Sequence, residues 1–306
     1  MHKTLKISII SVVIWLVGFY GYALTMISWP TNDNTMVRMS NTSDNYWSPN
    51  PSLMKSDGGW DSRIWKWREF IGCGSTQIAN TENRYAEWVD NNNVHLSMLT
   101  QPDLDWVYVA GISVGSVWDD LKPTYQPVPL KPSKANTLTL ETSIDDWKGT
   151  PLSPVVFPSW YAVLTDVWLN VTDVTIEDEN GMHRFPSKVL GIDIFYHTMT
   201  GSLNAAMGGS NEFARIEPCN KNFIYSVNLA DQSFYSNNDG SFKVDLIVLL
   251  HNAQEQAAKH GWHFNIDNAE LVMMETVIES YWSYAYAKIS WSGIRYCMSG
   301  NECAIE

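Results

Sequence analysis

The chain has 306 residues, 45% hydrophobic and 17% charged, enough apolar content for a sizeable core, which excludes a disordered tail, a coiled coil and a collagen-like rod. Its 20 Lys and Arg against 33 Asp and Glu leave a net charge of -13, and a surface that acidic repels phosphate backbones, which argues against a nucleic-acid partner. The 15 Trp outnumber the 10 Phe; flat rings with one polar handle serve either core packing or surfaces that are partly wet and partly apolar.

The start of the chain reads as an export signal: His2, Lys3 and Lys6 form a basic, acid-free lead, and Ile7 to Thr25 follow as a nearly uncharged apolar run. Gly21 and Ala23 suit a cleavage site, while the length of the run also suits a retained membrane anchor, so residues 1–23 are a signal peptide or an anchor. Residues 24–56, rich in Asn, Ser, Asp and Pro, read as a linker or lead-in. Residues 57–306 read as one domain, without repeats or a second linker.

Short alternating runs dominate that domain: 94–99, 106–117, 137–144, 163–171, 189–197, 223–229, 271–282 and 285–296. Asp90-Asn-Asn-Asn, Lys148-Gly-Thr-Pro, Glu179-Asn-Gly and Asn237-Asn-Asp-Gly read as turns between some of them. The pattern predicts an all-β sandwich or jelly roll of two antiparallel sheets. One helix interrupts it, capped by Asp245, with Leu246, Leu250, Ala253 and Ala257 on one stripe and Gly261 at its end.

Outside the cytosol Cys73, Cys219, Cys297 and Cys303 would oxidise, and three pairings are open. Cys297 with Cys303 would close a small terminal loop around Gly300, leaving Cys73 for Cys219. There is no CxxC pair and no HExxH, so neither a metal site nor a cofactor is expected.

Carboxylates inside apolar strands carry the functional signal, because they are poor strand residues and costly to bury unpaired. In the run 163–171, alternation sets Val163, Val167, Leu169 and Val171 on a core face and Asp166, Trp168 and Asn170 on the other, a face that is either solvated or shaped to hydrogen-bond hydroxyls and stack under a sugar. In the run 189–197, Asp193, Phe195 and His197 share a face opposite Ile192, Ile194 and Tyr196. Glu275 and Glu279 share a face with Val277 and Tyr281. Paired carboxylates across a cleft are what glycoside hydrolysis requires.

The order of these landmarks resembles family 12 glycoside hydrolases, β-jelly-roll endoglucanases, in pattern closest to their archaeal and thermophilic branch. Asp105 to Trp118 sits where that family has a Gly-Tyr-Pro strand leading to a Trp; 127–131 and 138–144 look like its next sheet segment; Thr165-Asp-Val-Trp-Leu169 is similar to its strand ending Glu-Thr-Trp; and Phe242 to Gly261 resembles its single helix. Glu275 with Glu279 is similar to Val-Glu-x-Gly-Phe-Glu, although Val277 and Ile278 replace the Gly-Phe. The resemblance implies retaining cleavage of β-1,4-glucan, with a polysaccharide as partner; the export signal implies a secreted protein that meets a membrane only if the N-terminal segment stays on as an anchor, and a monomer is expected. It implies Glu279 as general acid/base and a nucleophile from Asp193-Ile-Phe-Tyr-His197, where family members have Glu-Ile-Met-Ile-Trp, with Asp166, Trp168, Glu275, Trp118 and Trp282 lining the glycan. Asp193 is one methylene shorter than Glu, about 1.5 Å of reach, and in another register Gly191 would stand opposite the family nucleophile. A silent glycan-binding relative and a surface adhesion module are the competing readings.

Overall fold

The computed structural model describes residues 38–40, 46–47, 56–59, 61–68, 74–77, 84–90, 93–99, 107–115, 130–151, 160–198, 212–217, 220–229, 240–281 and 283–298. In chain order the elements are β1 (Arg38–Ser40), β2 (Tyr46–Trp47), β3 (Ser56–Gly59), β4 (Asp61–Arg68), β5 (Gly74–Gln77), β6 (Arg84–Asp90), β7 (Asn93–Leu99), β8 (Val107–Gly115), β9 (Ala135–Pro151), β10 (Trp160–Asp178), β11 (Gly181–Thr198), β12 (Glu212–Ile216), β13 (Phe223–Asn228), β14 (Ser241–Asp245), α1 (Leu246–Lys259), β15 (Trp262–His263), β16 (Ala269–Tyr281) and β17 (Ser283–Met298). The segment 1–23, Trp118, Trp282, Cys73, Cys219, Cys303 and the side chain of Cys297 lie outside the described residues.

Two sheets make the sandwich. One runs β12-β13-β11-β10-β16-β8-β4-β5 with β15 added on β10; the other runs β14-β9-β17-β7-β6 with β2 added on β17. All described pairs are antiparallel except β11 with β13, so the larger sheet is mixed where two antiparallel sheets were expected. Val163, Val167, Ile192, Ile194, Met274 and Ile278 of the larger sheet join Leu96, Leu138, Leu140, Ala287 and Ile289 of the smaller in one core cluster. This is the β-jelly-roll sandwich that the alternating runs predict, and each of those runs falls in a single strand over all or most of its length.

The helix forms as its sequence requires. Asp245 accepts from the Ile247 and Val248 backbone N–H groups, Leu246, Leu249, Leu250, Ala253 and Ala257 face the core, and Gly261 at φ +74° carries the chain out of the last turn. The Glu179-Asn-Gly turn also forms, with Asn180 N–H on Asp178 Oδ1 at 2.8 Å and Gly181 at φ +110°.

The expected turn at Lys148-Gly-Thr-Pro does not form, because β9 runs straight through it against β17. Gly149 is there for space: a Cβ would lie 2.1 Å from the Tyr161 ring, which packs on the bare backbone.

One polar ring crosses the core. Thr165 Oγ1 and Thr276 Oγ1 are 3.0 Å apart, Thr276 reaches Ser292 Oγ at 2.8 Å, Ser292 reaches Thr142 Oγ1 at 3.0 Å, and Thr142 reaches the Tyr196 hydroxyl at 2.9 Å. The Thr165 hydroxyl also stands near enough to that of Tyr196 to act on it, which closes the circuit. All five side chains are buried. A buried hydroxyl left without a partner costs about 1–3 kcal/mol, a penalty the ring avoids at every member.

Candidate active site

Register places the acids. Asp166 on β10 lies directly across from Asp193 on β11 and from Glu275 on β16, so three carboxylates stand in one row over three adjacent strands. Beyond Asp193 the row continues to Ser226 on β13, and beyond Glu275 to Ser113 on β8 and the backbone position of Asp61 on β4. The row lies on the sheet face away from the sandwich core, since Thr165 and Thr276, the next residues along β10 and β16, point into it.

Asp166 and Glu275 are buried, while Asp193 and Glu279 are half-buried. Burial, followed by the charges of Asp193, Glu275 and Glu279, holds the Asp166 carboxyl well above the usual carboxylate range. A protonated Asp166 donates to Asp193, and Ser226 Oγ donates to Asp193 Oδ2 at 2.9 Å from the other side. Glu275 Oε1 accepts from the Trp168 indole N–H at 3.1 Å. Each of the outer acids of the row is thus held by a neutral donor, with a neutral acid between them.

Trp168, expected as an exposed platform under a sugar, is only 8% exposed. Opposite it stands Gly191, whose missing side chain leaves room for the indole: a Cβ there would lie 2.7 Å from Trp168 Cζ3. The ring packs with Ile224 and Met273 and turns its N–H to Glu275, so it orients an acid and offers no open face to a ligand.

His197 does not share the face of Asp193 and Phe195. Leu164 pairs with Phe195 while its neighbour Val163 pairs with His197, a bulge that takes up Tyr196 and turns His197 over to the inter-sheet side. There it stacks on Trp147 with centroids 4.3 Å apart and meets Phe242 edge-on at 5.7 Å. Burial pushes its pKa down to about 4.

Glu279 shares the face of Glu275 but pairs with Ala162 and Val109, four residues along β16, or about 13 Å from the row. Between it and the row lies a buried apolar shelf of Phe195, Leu164 and Val277. Glu275 is therefore the glutamate level with Asp193, at two strand spacings, about 10 Å between Cα atoms, and the expected opposition of Asp193 and Glu279 is not what the register gives. Sequence reasoning missed Ser226, although alternation in Phe223-Ile-Tyr-Ser-Val-Asn sets it with Ile224 and Asn228; only the parallel pairing to β11 reveals its partner.

Among the described residues no cluster of His, Cys, Asp and Glu could hold a metal ion. The acids can give, take and share protons.

No family model and no curated protein matches the chain. Several solved structures are similar to it. A family 12 xyloglucanase from Bacillus licheniformis is 10% identical, with 87% of this chain and 99% of that one covered and a TM-score of 0.45. The family 11 xylanase from Neocallimastix patriciarum is 9% identical, over 86% and 97%, at 0.42. Endoglucanase cel12A from Rhodothermus marinus is 13% identical, over 78% and 97%, at 0.40. These likenesses are to strand arrangement, and nothing in them singles out the archaeal and thermophilic branch.

Proposed function

We propose that the protein is a glycoside hydrolase that cleaves β-1,4-glucan with Asp193 and Glu275 as its working acids. The observation that carries the reading is the level row Asp193–Asp166–Glu275, which sets two acids on either side of a third whose carboxyl is pushed by burial well above the usual carboxylate range. Asp193 attacks the anomeric carbon or activates a water, and Glu275 passes to the leaving oxygen the proton that it takes from protonated Asp166 beside it, leaving Asp166 ionised until the attacking water returns a proton to the row. Trp168 positions Glu275, and Glu279 lines the outer part of the same face. Reducing-sugar release from a soluble β-1,4-glucan tests this: cleavage supports it, and its absence at high protein concentration rejects it.

The burial of Glu275, at 2% exposure, favours a second reading, a silent glycan-binding sandwich whose acids serve hydrogen bonding alone. That protein would be retained on β-glucan without releasing sugar.

Export is part of the same proposal, with residues 1–23 as signal peptide or anchor, 24–56 as a lead-in that lays β2 against β17, and the domain working outside the cell or on the outer face of its membrane. Full-length native protein soluble in the cytosol would overturn it. The pairs Cys297–Cys303 and Cys73–Cys219 belong here too, and four free thiols in the exported, non-reduced protein would remove them.

A further inference from the structure

The five-hydroxyl ring takes one member from each of β9, β10, β11, β16 and β17: Thr142, Thr165, Tyr196, Thr276 and Ser292. A hydroxyl both gives and receives, so five linked hydroxyls can satisfy one another across the core. Two of its members adjoin the acid row in sequence. Thr165 precedes Asp166, Thr276 follows Glu275, and the two threonines bridge β10 and β16 at the position next to the one where the two acids face each other. Through Thr142 and Ser292 the ring ties that point to the second sheet, and through Tyr196 to β11, three residues beyond Asp193. On the other face the acids are close enough that Asp193, Glu275 and Glu279 all act electrostatically on Asp166, so a small change in strand position there changes the balance between them.

We infer that this ring is a positioning network for the acid row: it fixes β10, β11 and β16 against the second sheet and so sets the spacing of Asp193, Asp166 and Glu275 on the opposite face. Its value to catalysis rests on the hydrolase reading, but its effect on the row does not, and the experiment reads the row directly without turnover.

The measurement is a carboxyl-carbon NMR titration of Asp166 together with the Trp168 indole 1H–15N signal, in the full chain and its variants. Thr276→Val keeps the shape and removes the hydroxyl; Ser292→Ala opens the ring from the far sheet while every residue of β10 and β16 stays wild type; Thr276→Ser restores the hydroxyl; Val174→Ala is a core truncation on β10 away from the ring. Opening the ring lowers the Asp166 midpoint by about half a pH unit or more, the scale of one hydrogen bond, and moves the Trp168 indole signal. Ser292→Ala gives the same direction of change as Thr276→Val, and Thr276→Ser returns both signals to wild type. If Val174→Ala moves them as much, or if Ser292→Ala leaves them at wild type while folded, the ring is ordinary core and the inference is wrong. Should Thr276→Val fail to fold, Ser292→Ala against Thr276→Ser decides the matter by the same two signals.

Discussion

Protonating His197 should loosen the sandwich between pH 6.5 and 4. The imidazole is wedged between Trp147 and Phe242, and its pKa falls from 6.5 to about 4 because burial penalises the charged ring. The unfolded chain takes up this proton near pH 6.5 and the folded chain only near 4, so between those values the unfolded state binds more protons and stability falls as pH falls. The stabilisation is fully present above pH 6.5, and below 4 both states are protonated and the loss is constant. At about 1.4 kcal/mol per pH unit the gap amounts to roughly 3 kcal/mol. Urea unfolding of wild type and His197→Phe at a series of pH values isolates this effect, because groups common to both proteins cancel in the difference. The stability of wild type relative to His197→Phe should drop by about 3 kcal/mol from pH 7 to 4. A difference that stays flat over this range would mean that the ring reaches water, and the bulge at Tyr196 would not have the consequence assigned to it.

Two further outcomes follow from the site face. Gly191→Ala drives a Cβ against Trp168 and Ile224, so it should destabilise the fold by about 1–3 kcal/mol and shift Trp168 fluorescence; an unchanged emission spectrum would show that the indole does not lie over Gly191. Asp166, whose pKa is raised, favours the fold while protonated, a contribution complete below its unfolded value of 3.8 and lost as pH rises through the folded one. Asp166→Asn stays neutral throughout, so wild type should lose stability relative to it as pH rises above the unfolded value in denaturant titrations, and a constant difference would mean that the fold does not raise the Asp166 carboxyl.

The strands and the helix were legible because their signals are local. Period-two alternation marked Val163, Val167, Leu169 and Val171 as a core face, and all four are buried. Asp245 and Gly261 bracketed α1 by cap chemistry alone. The site was legible only in its parts. Asp166, Asp193 and Glu275 stood out as acids in apolar strands, but which acids stand level depends on pairing registers that no single strand contains. That Glu275, and not Glu279, stands level with Asp193 is a fact of that kind. His197 was lost to the bulge at Tyr196, which inverts a strand's alternation without a glycine or proline to announce it. Trp168 was misjudged because its burial depends on Gly191, one strand away and far along the chain. Lys148-Gly-Thr-Pro misled for the same reason, its glycine answering to Tyr161 across the sandwich and not to a turn.

Comparing β-1,4-glucan cleavage by wild type, Glu275→Gln and Glu279→Gln at matched folded concentration tests the central claim most directly. Wild type should cleave, Glu275→Gln should fall by roughly 10²–10⁴-fold, and Glu279→Gln should stay within about tenfold of wild type. Loss of activity in Glu279→Gln with Glu275→Gln still active would contradict the level row as the reacting centre.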